Sequence, residues 1–356
     1  MQSKEFLKQL SEASGVSGYE APVRELVRTE FAQYTDDIRV DAMGSLIACK
    51  RGDVRGEAPR RSIMLAGHMD EIGLLVTKLE KGFLRFATIG GFDLRVLPGQ
   101  EVLVHGQRDL PGVIGARPPH VLSAEEREQV VPLDKLFIDV GLPEEELSKL
   151  VRVGDVITVQ RQFTELSGGL VSGKAFDDRA AVACIADCLR HLTTMKHTWD
   201  VYAVATVQEE VGLKGALTSA FGIAPDIGIA IDVGHGNMLG VPEVDTVNVG
   251  GGPALGFGPN IHPLMYSRLV ETAKTNEISY QTDPIPGRSG TDAWAMQVVR
   301  EGMPTALISI PLRYMHTSVE TLSMKDIERT GRLLALFISG LDEAFAQQLG
   351  LNRART

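Results

Sequence analysis

The stretch "SIMLAGHMDEIG", residues 62–73, decides the fold. A mostly apolar run, 62–66, leads into Gly67, and then come His68, Asp70 and Glu71. An apolar run of this length bounded by glycine reads as a buried strand. Three polar groups crowded at its end need an explanation, because a sheet interior does not tolerate them without partners.

Outward from this strand the chain alternates. On its N-terminal side, "SKEFLKQLSEAS" (3–14) and "PVRELVRTEFAQY" (22–34) have helical apolar spacing, and "GSLIACK" (44–50) reads as a further strand, so the first 70 residues run helix, helix, strand, strand. Pro22 sits near the second helix start, where its missing N–H does no harm. Between about 72 and 164 the texture changes to short strands broken by Gly, Pro and Asp: "IGLLVTKLEKGFLRFATIGG", "GQEVLVHGQ", "GVIGA", "KLFIDVG" and "GDVITVQ", with one short helix in "PEEELSKLV". That spacing predicts a small β-barrel or sandwich. From about 165 the alternation returns. Helices are expected in "DDRAAVACIADCLRHL" (177–192), "KGALTSAFG" (214–222), "HPLMYSRLVETAKTN" (262–276), "TDAWAMQVVREG" (291–302) and a long final one over 324–347. Strands are expected in "WDVYAVATVQ" (199–208), "DIGIAIDVG" (226–234) and "PTALISIP" (304–311). Alternating strands and helices predict an α/β sheet covered on both faces. The simplest organisation is one α/β domain, 1–71 and 165–356, interrupted by a β-rich unit over 72–164.

Composition bounds the function. The 356 residues carry a net charge of −10 and no basic stripe of the kind that displaces counterions from phosphates, which argues against a nucleic-acid partner. The most basic stretch, "KRGDVRGEAPRR" (50–61), reads as a solvated loop. No apolar run reaches the roughly 20 residues that span a bilayer, so no membrane partner is expected. The N-terminus reads as a short amphipathic helix without the apolar core of a signal peptide. Cys49, Cys184 and Cys188 are odd in number and form no CxxC pair. Cys184 and Cys188 fall on an apolar helix face and read as core packing. A cytoplasmic location is the expectation.

In open α/β sheets, ligands bind beyond the carboxyl ends of the strands. His68, the pair Glu209–Glu210, Asp232 and His316 each follow one expected strand, and Asp177 and Asp178 stand at a helix start. Each has a bland reading: a structural His, a helix cap, a solvated loop, a turn. All of these would have to hold at one sheet edge. Two His and several carboxylates converging there look like a site for divalent metal. One glutamate of "QEE" can bind metal while the other acts as a base, and Asp70 can orient His68 through its second imidazole nitrogen. His235, His120 and His262 are not expected as ligands. "GRSGTDAW" (287–294) is either a pocket wall or a capped helix. "NVGGGPALGFGPN" (248–260) lacks a phosphate-loop context, and no GxSxG elbow occurs.

"GHMDEIG", "KAFDDR", "VQEEVGLKGA", "IDVG" and "YMHT", in that order and over nearly the whole chain, resemble the tetrahedral (TET) aminopeptidases, the cytoplasmic dinuclear metallopeptidases of family M42. The resemblance implies a helix-flanked mixed sheet of the zinc-aminopeptidase type with an inserted small, PDZ-like β-barrel that serves dimerisation. It implies two divalent ions per subunit, Zn, Co or Mn: His68, Asp177 and Glu210 on one, Asp177, Asp232 and His316 on the other. It also implies a cis peptide between Asp177 and Asp178, Glu209 as general base and Asp70 orienting His68. Dimers would assemble into a dodecameric homo-oligomer that admits peptide substrates.

The rival enzymes are a dinuclear carboxypeptidase or N-acyl-amino-acid deacylase, whose extra domain lies between the fourth and fifth ligands. Here 232–316 reads as continuing α/β structure. A glycosidase would need two opposed carboxylates and no metal pair. A non-catalytic shell protein would be expected to lack a ligand or the base. Neutral aliphatic N-terminal residues such as Leu are the expected substrates, with Glu or Asp as the alternative if Arg179, Lys214, Arg288 or Arg313 reaches a substrate carboxylate.

Overall fold

A computed structural model of the chain describes residues 3–53 and 60–351. Helix α1 (Ser3–Glu12) buries Phe6, Leu7 and Leu10, and α2 (Ala21–Phe31) buries Val23, Val27 and Phe31, the three- and four-residue spacing of one helix face. Three strands follow, one more than expected: β1 (Ile38–Val40), β2 (Leu46–Lys50) and β3 (Ser62–His68). Of the basic stretch 50–61, residues 54–59 lie outside the described residues.

Strands β4 (Gly73–Glu80), β5 (Phe83–Ile89), β6 (Glu101–His105), β7 (Asp109–Gly115), β8 (Phe137–Asp139) and β9 (Val156–Val159) close into a barrel in the order β4-β5-β8-β7-β6-β9. Short helices α3 (Ala124–Arg127) and α4 (Glu144–Leu150) ride on it. Leu74, Val76, Leu84, Val104, Ile138 and Ile157 fill a core of its own.

The chain then makes β10 (Thr164–Glu165), β11 (Leu170–Gly173), α5 (Phe176–His191), β12 (Asp200–Thr206), α6 (Lys214–Ile223), β13 (Ile227–His235), β14 (Ala254–Phe257), α7 (Pro263–Thr275), β15 (Gln281–Pro284), α8 (Asp292–Met296), β16 (Thr305–Leu312), β17 (Glu320–Ser323), α9 (Met324–Ser339) and α10 (Glu343–Gln348). Two expected helices are shorter than the sequence reading. The 291–302 segment is helical only to Met296, and the following residues turn through left-handed Arg300 and Gly302. The final helix breaks at Gly340, and Asp342 caps a separate α10 by accepting the N–H of Phe345 at 2.8 Å. Strands β10, β11, β14, β15 and β17 have no counterpart in the sequence reading.

The main sheet has eight strands in the order β1-β2-β12-β3-β13-β16-β14-β15. Its centre, β12, β3, β13 and β16, is parallel, while β2 and β14 run antiparallel to their central neighbours. Side chains alternate between the faces. Ile63 and Leu65 join the cluster containing α1, α2, α5 and α9, whereas Met64 and Ala66 join the one containing α6 and α8. Each fully buried Ile, Leu or Met side chain among them contributes roughly 1.5–3 kcal/mol. Cys49, Cys184 and Cys188 are buried free thiols in this packing. The segment between Asp232 and Asp292 returns to the same sheet through β14 and β15, with no second inserted domain. Among the described residues, no helix is long and apolar enough to cross a membrane.

Candidate active site

Because β3, β12, β13 and β16 are parallel, their carboxyl ends share one edge, and the residues singled out in the sequence meet there. His68 ends β3 and is buried. Gly67 before it is required by packing: a Cβ there would lie 2.6 Å from the Ala181 Cβ of α5 and 3.3 Å from Asp178 Oδ2. Glu209 and Glu210 follow β12, and His316 follows β16. Asp232 lies inside β13, which runs on to His235 rather than ending before it.

Asp177 is the hub. Its Oδ1 is 3.1 Å from His68 Nε2 and its Oδ2 is 3.2 Å from His316 Nε2. His316 Nε2 is also 3.4 Å from Glu210 Oε1, and His68 Nε2 is 3.8 Å from Glu209 Oε2. The Asp177–Asp178 peptide is cis. Asp178 faces inward but meets backbone donors: Oδ2 accepts the His68 N–H at 3.2 Å and Oδ1 that of Ala181 at 3.3 Å. Asp70 is fully buried. His68 Nδ1 lies closer to the Asp70 backbone oxygen, 3.2 Å, than to its carboxylate, 3.5 Å. The carboxylate instead accepts the N–H groups of Glu209 and Glu210, at 3.0 and 3.2 Å, and the Ser17 hydroxyl at 2.6 Å.

The electrostatics show a site short of positive charge. Burial pushes Glu209 up to about 10, with Asp232, Asp292 and Glu210 adding repulsion against the pull of His68. Burial and neighbouring carboxylates likewise hold Asp178 and Asp232 well above the usual carboxylate range. For Asp177, burial is outweighed by the hydrogen bonds from His316 and His68, which hold it low. Hydrogen bonds to Asp177 and Glu210 push His316 up to about 11. Two nearby cations, Lys174 and Arg179, both pair with Glu71, at 2.5 Å and 3.0 Å, and burial lowers Lys174 to about 8. Ligand atoms of His68, Asp177 and Glu210 lie within 4.8 Å of one another, as do those of His68, Asp178 and Asp232. A mixed imidazole and carboxylate set with surplus negative charge fits divalent cations.

The cluster opens into a cavity of about 1090 Å³ lined also by Asp283, Arg288 and Thr291. The "GRSGTDAW" stretch therefore forms pocket wall, and Thr291 also occupies the N-cap position of α8. His235 lines the cavity, His262 occupies the N-cap position of α7, and His120 is exposed on the barrel side of the chain. Sequence reasoning missed Glu320, which accepts the backbone N–H groups of both Asp177 and His316, and Ser17, which reaches Asp70. Glu320 stands four residues after His316, a spacing that is a usable signal; Ser17 carries none.

Residues 44–333 match the family model described as M42 glutamyl aminopeptidase. The chain is 36% identical over 343 residues to the lysyl aminopeptidase of Pyrococcus furiosus, covering 95% of this chain and 97% of that one. Among solved structures, the TET aminopeptidase of a marine-sediment Thaumarchaeota archaeon superposes with a TM-score of 0.91 at 34% identity, covering 98% of this chain and 99% of the other. The TET1 peptidase of Pyrococcus horikoshii, described as assembling into a tetrahedron or a large octahedral shell, gives 0.84 at 34% identity, with 96% and 100% covered. Fold and site thus define a hydrolase of peptide bonds, an aminopeptidase. The chain belongs to the M42 family.

Proposed function

We propose that this aminopeptidase removes N-terminal residues from peptides with two divalent ions, Zn, Co or Mn, in each subunit. Asp177 would be shared by the two ions, with His68 on one and His316 on the other, and Glu210 and Asp232 would complete the two sets; the 3.4 Å from His316 Nε2 to Glu210 Oε1 favours Glu210 beside His316. The observation that carries this reading is the Asp177 carboxylate, which presents one oxygen to each imidazole at 3.1 and 3.2 Å. Bound there, divalent ions would acidify a water and polarise the scissile carbonyl. Asp70 fixes the backbone of Glu209 and Glu210 together, so the ligand and the base keep one relative position. Glu209, left outside the ligand set, takes a proton from the attacking water and delivers it to the leaving amine.

Of the four cations considered for substrate recognition, three are engaged elsewhere. Arg179 is buried on Glu71, Lys214 donates to Gln208 at 3.2 Å and Arg313 to the Asn237 carbonyl at 2.6 Å. Arg288 lines the cavity, opposed by Glu243, Asp245 and Asp283. This lining disfavours Glu or Asp and leaves neutral Leu-like side chains acceptable. It also supports Lys as a second substrate class, in keeping with the lysyl aminopeptidase relative. Rates on aminoacyl-p-nitroanilides of Leu, Lys and Glu test it: Glu is expected last, and a Glu-first order would contradict the reading.

We take 72–164 as the inserted unit and 1–71 with 165–356 as the catalytic domain. The barrel has its own core, which supports an independent role in dimerisation. A homo-oligomer, a dodecamer built from dimers, follows the shells described for Pyrococcus horikoshii TET1. A native mass of twelve chains is expected, and a monomer would contradict it. The buried free thiols support a cytoplasmic location.

A further inference from the structure

Glu320 has no part in the chemistry above, yet it is 2% exposed and stands against two of the assigned ligands. Its Oε2 accepts the Asp177 N–H at 3.1 Å and its Oε1 the His316 N–H at 2.9 Å. It opens β17, opposite Gly173 at the end of β11, where the chain turns toward Asp177. Both segments it grips pass through the left-handed region without glycine: Ala175 at φ 56° and His316 at φ 61°. Such backbone persists only where the surroundings over-determine it.

We propose that Glu320 is a positioning residue for the metal centre. One carboxylate fixes the backbone of Asp177 and His316, two segments far apart in sequence, so that Asp177 Oδ2 and His316 Nε2 face each other. The proposal rests on the assignment of Asp177 and His316 to one ion. Glu320 is not itself in either His/carboxylate group with ligand atoms in mutual reach. A carboxylate suits the task because it offers acceptors alone, one for each N–H. Glutamine would turn an NH₂ toward one of them and leave a buried donor unmatched. Aspartate is one methylene too short to meet both.

The effect is asymmetric. His68 and Glu210 are held from the other side, by backbone bonds to Asp178 and Asp70. Loss of Glu320 therefore acts on the ion that needs His316, and less on the one that needs His68.

The test is E320Q in the full-length chain, stripped with chelator and titrated with Mn²⁺ by calorimetry, with circular dichroism and native mass as folding controls. Wild type is expected to bind two ions per chain. E320Q is expected to bind one with near wild-type affinity and the second at least about tenfold more weakly, as supporting groups behind metal ligands generally do. Its lost kcat should return as Mn²⁺ is raised, which a merely structural defect would not show. Two ions at wild-type affinity in E320Q overturn the proposal alone; fewer than two in wild type overturn the ligand assignment beneath it. If E320Q does not fold, hydrogen exchange on the wild type decides: the Asp177 and His316 amides should be protected, and exchange of both at the rate of open loops overturns the proposal.

Discussion

Asp70 Oδ1 accepts the backbone N–H of Glu209 at 3.0 Å. The residue that follows the buried strand β3 thus fixes the residue assigned as base, which comes from the loop after β12. Oδ2 does the same for Glu210 at 3.2 Å while accepting the Ser17 hydroxyl at 2.6 Å. His68 rests on the backbone oxygen of the same residue, 3.2 Å from Nδ1. Asp70 therefore couples His68, assigned as a metal ligand, to the assigned base through three contacts.

Asp70→Asn should weaken metal binding by about 10–100-fold, because an amide group would face one of the two N–H donors. Ser17→Ala, which removes one hydroxyl donor, should act in the same direction and less. Titration of the stripped proteins measures both. Unchanged affinity in Asp70→Asn would remove the residue from the site.

Glu209→Gln should keep both ions and KM while kcat falls by roughly 10²–10⁴-fold, the usual share of a positioned general base. Wild-type kcat in this variant would assign the proton transfer to another group.

Glu71 accepts from Lys174, Arg179 and the Gly15 N–H, all buried. Arg179 also donates to the carbonyls of Met69, Leu10 and Ala13, tying α1 and the end of β3 to α5. Glu71→Ala leaves two buried cations facing each other and should cost about 3–5 kcal/mol in denaturant unfolding. A loss under about 1 kcal/mol would mean water enters and solvates them.

His197 is buried, with Nδ1 2.8 Å from the Trp199 carbonyl, and burial pushes its pKa below the ordinary histidine value. Lys50 adds to this, while Asp200 and Asp53 oppose it. The unfolded chain then binds a proton near pH 6.5 that the folded chain refuses, so stability is full above that pH and falls as pH falls. His262 acts in the same direction. His197→Asn, whose amide can reproduce the Nδ1 donor, should flatten the fall in unfolding free energy between pH 7 and 5. An unchanged slope would show that His197 takes up a proton when folded.

Much of this was legible in the sequence because the signal was local. His68 closes an apolar strand, and Glu209–Glu210 and His316 stand just past two others, so polarity at a strand end marked the edge. Asp232 was found as a residue just past the apolar run "IGIAI" (227–231), although β13 continues through it to His235. What escaped depends on distant partners. Glu320 also grips Asp177 because β17 pairs with β11, which its four-residue spacing from His316 does not reveal, and Ser17 matters only because the segment after α1 packs on Asp70. The overlong final helix has a similar cause. Its apolar periodicity continues across Gly340, while the cap that restarts α10 is one side-chain bond from Asp342.

The central claim is that His68, Asp177, Glu210, Asp232 and His316 hold divalent ions that drive cleavage next to a free amine. The most direct measurement compares Leu-p-nitroanilide with its N-acetylated form on protein stripped by chelator and reloaded stepwise with Zn²⁺, Co²⁺ or Mn²⁺. The account predicts no turnover when stripped, recovery complete at two equivalents per chain, and cleavage of the free-amine substrate alone. Full activity in the stripped protein, or equal cleavage of the acetylated substrate, would contradict it.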